Sequence, residues 1–76
     1  MNKDRRSRLT AICDTLRELQ DDLTCVLDEE TCALDALPTP LADGVRGLEM
    51  QENIDLLTDA QSQLEELISQ LETFAQ

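Results

Sequence analysis

Between two long leucine-rich segments, the chain of 76 residues reads LPTPLADG at positions 37–44. Each proline disfavours helical backbone at the residue before it. Thr39 followed by Pro40 is typical of a helix start, with Thr39 as the N-cap. This break predicts a helix over about 3–35, a loop over about 36–43 and a helix over about 44–75. Two helices of similar length, each ~48 Å long, predict a single all-α domain over 1–76, an antiparallel helical hairpin.

Apolar residues recur in both segments at alternating steps of three and four, the spacing of an amphipathic helix. In the second segment the predicted stripe contains Met50, Gln61 and Ala75, and Ala60, Leu67 and Phe74 widen it on one side. Gln61 is the polar residue of this stripe; it either fixes the register of the helices or lines a small polar site. In the first segment, Cys13, Leu27 and Leu34 widen the stripe, and Asn2 is the expected N-cap. The most apolar positions of both stripes are Leu9, Ile12, Leu16, Leu19, Leu23, Val26, Ile54, Leu57, Leu64, Ile68 and Leu71.

Two helices alone do not enclose stripes of this width. A chain of this length is also near the limit of what one core stabilises. We therefore expect a homo-oligomer, a dimer or larger helical bundle, with Gln61 and these apolar residues as its core.

Charge is distributed unevenly along the chain. Residues 1–17 carry five cations and two acids, a balance of +3, whereas residues 18–76 carry one cation and fifteen acids, a balance of −14. An acidic body of this kind repels nucleic acid and anionic membranes. We expect neither of them as a direct partner. We expect the acidic body to attract basic protein surfaces instead.

Catalysis, cofactors and metal ions are not expected. The chain contains no histidine, the commonest general base. Cys25 and Cys32 share a helix face but lie ~10 Å apart by helical rise, too far for one zinc ion. The three cysteines form no paired motif, and no signal peptide or membrane-spanning run is evident, so we expect reduced thiols in a cytoplasm.

Two sets of charged residues are candidate sites. The acids Asp21, Asp22, Asp28, Glu29 and Glu30 either form a solvated helix face or mimic a phosphate backbone that occupies a basic groove. The cations Arg5, Arg6 and Arg8 lie at one end of the predicted hairpin, and Arg46 lies at the other. In an antiparallel pair of hairpins they either form an anion site or make ion pairs, with Arg46 bonded to Glu49 or to an acid of the partner.

The opening MNKDRRSRL and the run DALPTPLADGVRGLEMQENIDLL at 35–57, followed by an acidic leucine-rich helix, resemble small acidic helical-hairpin proteins of phages and prophages. The resemblance implies a phage accessory role in the cytoplasm of a bacterial host. A first hypothesis is inhibition of a bacterial defence component, such as a CRISPR or restriction effector, through the acidic surface. A second is an oligomer that sequesters a nucleotide immune signal through the arginines. A third is a structural or adaptor coiled-coil protein.

Overall fold

A computed structural model describes residues 1–75. Helix α1 spans Lys3–Asp35, the short helix α2 spans Thr39–Ala42, and helix α3 spans Val45–Ala75. The described residues contain no strand, so the all-α prediction is confirmed. The molecule is a rod with extents of 59 × 15 × 12 Å.

Helix α1 begins where the sequence predicts. The side-chain oxygen of Asn2 accepts a hydrogen bond of 2.8 Å from the backbone N–H of Arg5. This bond satisfies one of the free N–H groups in the first turn, where Asp4 also complements the helix dipole. The N-cap prediction for Asn2 is confirmed.

The connection between the long helices contains one helical turn. Pro38, not Thr39, is the N-cap residue of α2, and no side chain caps this helix. The Pro38 carbonyl instead accepts hydrogen bonds from the N–H groups of Leu41 and Ala42, at 2.9 and 3.0 Å. The prediction of Thr39 as an N-cap is wrong because Thr39 already lies inside the helical turn.

Gly47, in the first turn of α3, allows α2 to pack closely. A Cβ atom at this position would lie 1.8 Å from the carbonyl oxygen of Ala42. Gly47 is buried although its φ angle is an ordinary negative one. The glycine is therefore required by the close approach of the α2 backbone and not by its own conformation.

The two long helices pack against each other in antiparallel orientation along a seam of alternating three- and four-residue steps. In α3 the seam contains the predicted stripe, from Met50 through Gln61 to Ala75. We letter the heptads of both helices so that seam positions are a and d, with Ile68 at a. Ile68 is fully buried.

In α1 the seam is rotated by one position from the predicted stripe. The d positions, such as Leu9, Leu16 and Leu23, lie in the seam as expected. The a positions of the seam are Cys13, Gln20, Leu27 and Leu34. Ile12, Leu19 and Val26 instead occupy g positions on the flank of the hairpin, where about half of each side chain is exposed. The stripe expected on α1 is therefore divided between the seam and this flank, and a role for these three residues in an oligomer core stays a prediction.

Candidate functional site

One flank of the hairpin is polar and joined by contacts between side chains of α1 and α3. In an antiparallel pair, the e positions of both helices meet on the same side. There Arg17 forms an ion pair with Glu72, and Gln20 donates a hydrogen bond to Glu65. The carboxylate of Glu72 raises the pKa of Arg17.

Gln61, the polar residue of the α3 seam, also belongs to this set of contacts. Its amide donates a hydrogen bond to the Thr24 hydroxyl, which in turn donates to the backbone carbonyl of Gln20 at 3.0 Å. Both side chains are half-buried. The contact thus pairs Gln61 with one particular level of α1, as expected of a residue that fixes register.

The outer face of α1 is strongly acidic. Four of its five b positions are aspartates spaced by seven residues, the fifth being Ser7, and its c and f positions add three further acids. All seven are exposed: Asp14, Glu18, Asp21, Asp22, Asp28, Glu29 and Asp35. We call these residues the acidic face. Among residues 1–75, none of them forms an ion pair within the chain; the two pairs present are Arg8–Asp4 and Arg17–Glu72.

The structure divides the predicted acidic set. Asp21, Asp22, Asp28 and Glu29 lie together on the acidic face, whereas Glu30 lies at a d position and is half-buried at the seam. Glu30 borders a shallow hollow with Asn53, Leu56 and Leu57. A surface that binds through the first four residues does not include Glu30.

The predicted arginine set is also divided. Arg5, Arg6 and Arg8 lie at the end of the rod where α1 begins, and Arg46 lies at the end that contains α2. Arg8 pairs with Asp4 at 3.3 Å, and both side chains are highly exposed, so this contact contributes little stability. Within residues 1–75 the expected Arg46–Glu49 ion pair is absent. A single chain therefore does not bring these arginines together.

The thiols occupy two environments. Cys13 is buried in the seam, and Cys25 and Cys32 are exposed on the outside of α1 at f positions. No group of three potential metal ligands is present among residues 1–75.

Sequence reasoning missed the extent of two surfaces. Asp14 and Asp35 extend the acidic face at both ends, and their seven-residue spacing from Asp21 and Asp28 is visible in the sequence. The other is the flank opposite the polar one, where the g positions of both helices meet. Its large apolar residues are Ile12, Leu19, Val26, Leu67 and Phe74. We call this surface the apolar flank.

Comparisons of the chain with protein-family models, curated proteins and solved structures found no match. Within residues 1–75, neither long helix has a stretch apolar enough to cross a membrane.

Proposed function

We propose that the chain is a non-enzymatic accessory protein of phage type that inhibits a bacterial defence component, such as a CRISPR or restriction effector. The acidic face of α1 binds a basic surface of the target. The observation that carries the proposal is the row of four aspartates at b positions, none of which pairs with a cation of the chain. The phage setting rests on the resemblance of the run at 35–57.

The charge density of the acidic face is close to that of a nucleic-acid strand. From Asp14 to Asp35, seven exposed carboxylates are distributed over ~32 Å of helix. One DNA strand carries about nine phosphates over the same length. A groove that normally binds nucleic acid would therefore meet a similar density of negative charge on the acidic face, held on a rigid, straight helix.

Rigidity distinguishes this face from an acidic tail. The backbone of α1 is helical throughout, and its seam holds the orientation of every b position relative to α3. Binding to a basic groove then requires only the ordering of short Asp and Glu side chains. A smaller loss of conformational entropy supports specific binding.

Capture from a bacterial lysate that contains defence systems tests this proposal. The bait variant replaces Asp21, Asp22 and Asp28 with Asn and Glu29 with Gln. The control variant makes the same charge change on the outer face of α3, at Glu52, Asp55, Asp59 and Glu66. We expect a basic nucleic-acid-binding protein to be captured by the unmodified chain and the control, lost by the α1 variant, and released by double-stranded DNA.

Two results would contradict the proposal. One is equal loss of the captured protein with both variants, which would indicate net charge as the determinant. The other is a captured protein that double-stranded DNA does not displace, since a mimic competes with the molecule it imitates.

A second candidate function is the sequestration of a nucleotide immune signal by an oligomer. It is favoured by Arg46, which forms no ion pair within residues 1–75 and occupies a g position, as Arg5 does. Planar guanidinium groups suit phosphates, and two copies are needed to bring these residues close together. Thermal stabilisation by cyclic or ADP-ribose-type nucleotides, lost in Arg46→Ala, is the expected result. Absence of any thermal shift with these nucleotides would exclude it.

A further inference from the structure

The apolar flank is a continuous surface that the single chain leaves uncovered. Its five large residues, Ile12, Leu19, Val26, Leu67 and Phe74, have exposures between 44% and 52%. In residues 1–75, Cys13 and Ile68 are the apolar side chains that the hairpin buries. A contiguous apolar surface of this kind on a chain with so small a core indicates an interface.

The rotation of α1 strengthens this conclusion. Helix α1 turns Gln20 and Cys13 toward α3, and it turns Ile12, Leu19 and Val26 away from it. The more apolar side of the helix therefore faces outward. The polar contacts of Gln20 and Thr24 with α3 match this orientation.

We propose that a second copy of the chain covers the apolar flank. Its two-fold axis runs perpendicular to the helices at the level of Leu19 and Leu67. In this arrangement α1 packs antiparallel on the α1 of the partner, and α3 packs antiparallel on the partner's α3, so the dimer is a four-helix bundle.

The register of both helices supports this axis. The contacts Arg17–Glu72 and Gln20–Glu65 place Leu19 and Leu67 at about the same level of the rod. Leu19 is the middle of the apolar g positions Ile12, Leu19 and Val26, and Leu67 is the middle of Ala60, Leu67 and Phe74. A single axis therefore brings each of these two sets of three opposite its own copy, whereas Asn53 and Arg46 of α3 lie beyond the overlap.

The side-chain sizes on the two rows fit the same axis. On α1, Ile12 meets the partner's Val26, and Leu19 meets the partner's Leu19. On α3, Ala60 meets the partner's Phe74, so a small residue lies opposite the single aromatic residue of the chain. Alternation of large and small residues across an interface is what close packing requires.

The charges of the two ends of the rod also favour the antiparallel arrangement. The loop end, residues 28–55, carries eight acids and only Arg46, a balance of −7. The opposite end, residues 1–17 with 61–75, carries five acids and five cations. The antiparallel dimer places each acidic loop end beside a neutral, arginine-bearing end, whereas a parallel dimer would place the two acidic ends together.

Glu30 finds a partner in this dimer. It is a charged residue at a d position, and the proposed axis places it opposite the partner's Leu9. In each copy, Leu9 and Ile12 line a shallow hollow bordered by Arg5 and Arg8. The Glu30 carboxylate thus lies within reach of two guanidinium groups of the partner, as charge-assisted hydrogen bonding requires.

The extent of the surface is sufficient for a stable dimer. Along α1 the interface spans residues 5 to 33, or ~42 Å, and along α3 it spans residues 60 to 74, or ~21 Å. With ~10 Å for the width of each helix, the footprint is ~630 Å² per copy, at the lower end of the range for specific interfaces. The b and f positions of the acidic face point away from this surface, whereas Asp22 and Glu29, at c positions, lie beside its g row. The contacts proposed for the dimer use none of the acidic-face residues, so the dimer does not depend on the proposed function.

Single-cysteine cross-linking tests both the surface and the direction of packing. In a background with Cys13→Ala, Cys25→Ser and Cys32→Ser, we expect Leu19→Cys and Leu67→Cys each to form a disulfide-linked dimer on mild oxidation. Val26→Cys alone does not, because its two copies lie ~21 Å apart in the antiparallel dimer. A mixture of Ile12→Cys and Val26→Cys chains forms the mixed dimer.

Other cross-linking results would overturn the proposal. Efficient self-linking of Val26→Cys would indicate parallel packing. If neither Leu19→Cys nor Leu67→Cys forms a disulfide-linked dimer, then the two copies do not meet at this flank, and a different partner covers it.

Native mass spectrometry of the unmodified sequence provides an independent readout of the subunit number. We expect twice the chain mass of 8.5 kDa. Leu19→Glu should weaken the dimer by about tenfold or more because it places a charge on the axis. Leu48→Glu, at a leucine that lies outside the flank and is 63% exposed against 52% for Leu19, should leave it unchanged. A monomer at about 0.1 mM for the unmodified chain would exclude the dimer.

Discussion

At the scale of single residues, Gly47 is the glycine that leaves less room for a side chain. Its missing side chain allows the carbonyl of Ala42 to approach the first turn of α3. At Gly44, which lies between α2 and α3, an added Cβ would be 3.3 Å from the nearest atom, a backbone oxygen of Pro40. The two glycines thus differ in how much the backbone must move to accept a methyl group.

This difference gives a matched pair of variants. Gly47→Ala should lower the stability by roughly 1–3 kcal/mol, or displace α2, since overpacking against backbone is not relieved by a rotamer change. Gly44→Ala should have a smaller effect because its neighbour needs to move by only a few tenths of an ångström. Thermal unfolding followed by circular dichroism compares them. Equal midpoints for the two variants would show that α2 does not need to pack on α3.

At the scale of helices, the polar residues of the seam set how α1 and α3 pair. Gln61 bonds to Thr24, and Gln20 bonds to Glu65, both on the side of the hairpin that carries the Arg17–Glu72 ion pair. The opposite flank is apolar. The hairpin is therefore closed by specific polar contacts on one side and open to association on the other.

Substitution of the two members of the Gln61–Thr24 contact should have opposite effects. Gln61→Leu should raise stability by about 1 kcal/mol, because Leu adds apolar burial and the Thr24 hydroxyl keeps its bond to the Gln20 carbonyl. Thr24→Val should lower it by about 1 kcal/mol, because it leaves the Gln61 amide without its acceptor. Urea unfolding of both variants measures the two changes. A loss of stability in Gln61→Leu would show that this amide has a further partner.

At the scale of the whole molecule, electrostatic repulsion opposes folding and association. The net charge is −11, and the acidic residues are concentrated in the loop half and on the outer faces of both helices. At low ionic strength the repulsion extends over ~30 Å, which is half the length of the rod, and at about 1 M salt over ~3 Å.

Salt should therefore stabilise the protein. We expect the thermal midpoint to rise as sodium chloride increases from about 0.02 M to about 0.5 M, because screening weakens the repulsion between carboxylates. The variant with four neutralised acids on α1 should begin at a higher midpoint and respond less to salt. A midpoint that falls with salt in the unmodified chain would show that attractive ion pairs, such as those proposed for Glu30, outweigh the repulsion.

The local pattern of residues was sufficient to predict the all-helical hairpin, the Asn2 cap and the α3 seam. Periodicity and the proline-rich break are properties of neighbouring residues, and they depend little on distant contacts. The short α2 helix and the role of Gly47 were not predictable in this way, since both depend on the approach of one backbone segment to another.

The rotation of α1 was decided by packing alone. Apart from Glu30, its d positions are apolar, and either the a positions or the g positions complete a stripe with them, so the sequence of α1 is compatible with two orientations. The g side is the more apolar of the two, which is why periodicity favoured it. Only α3 supplies the partners, Glu65 and Gln61, that bond to Gln20 and Thr24 and turn the a side inward. The choice between two nearly equivalent faces of α1 depends on contacts with α3. The spacing of apolar residues within one helix carries no information about those contacts.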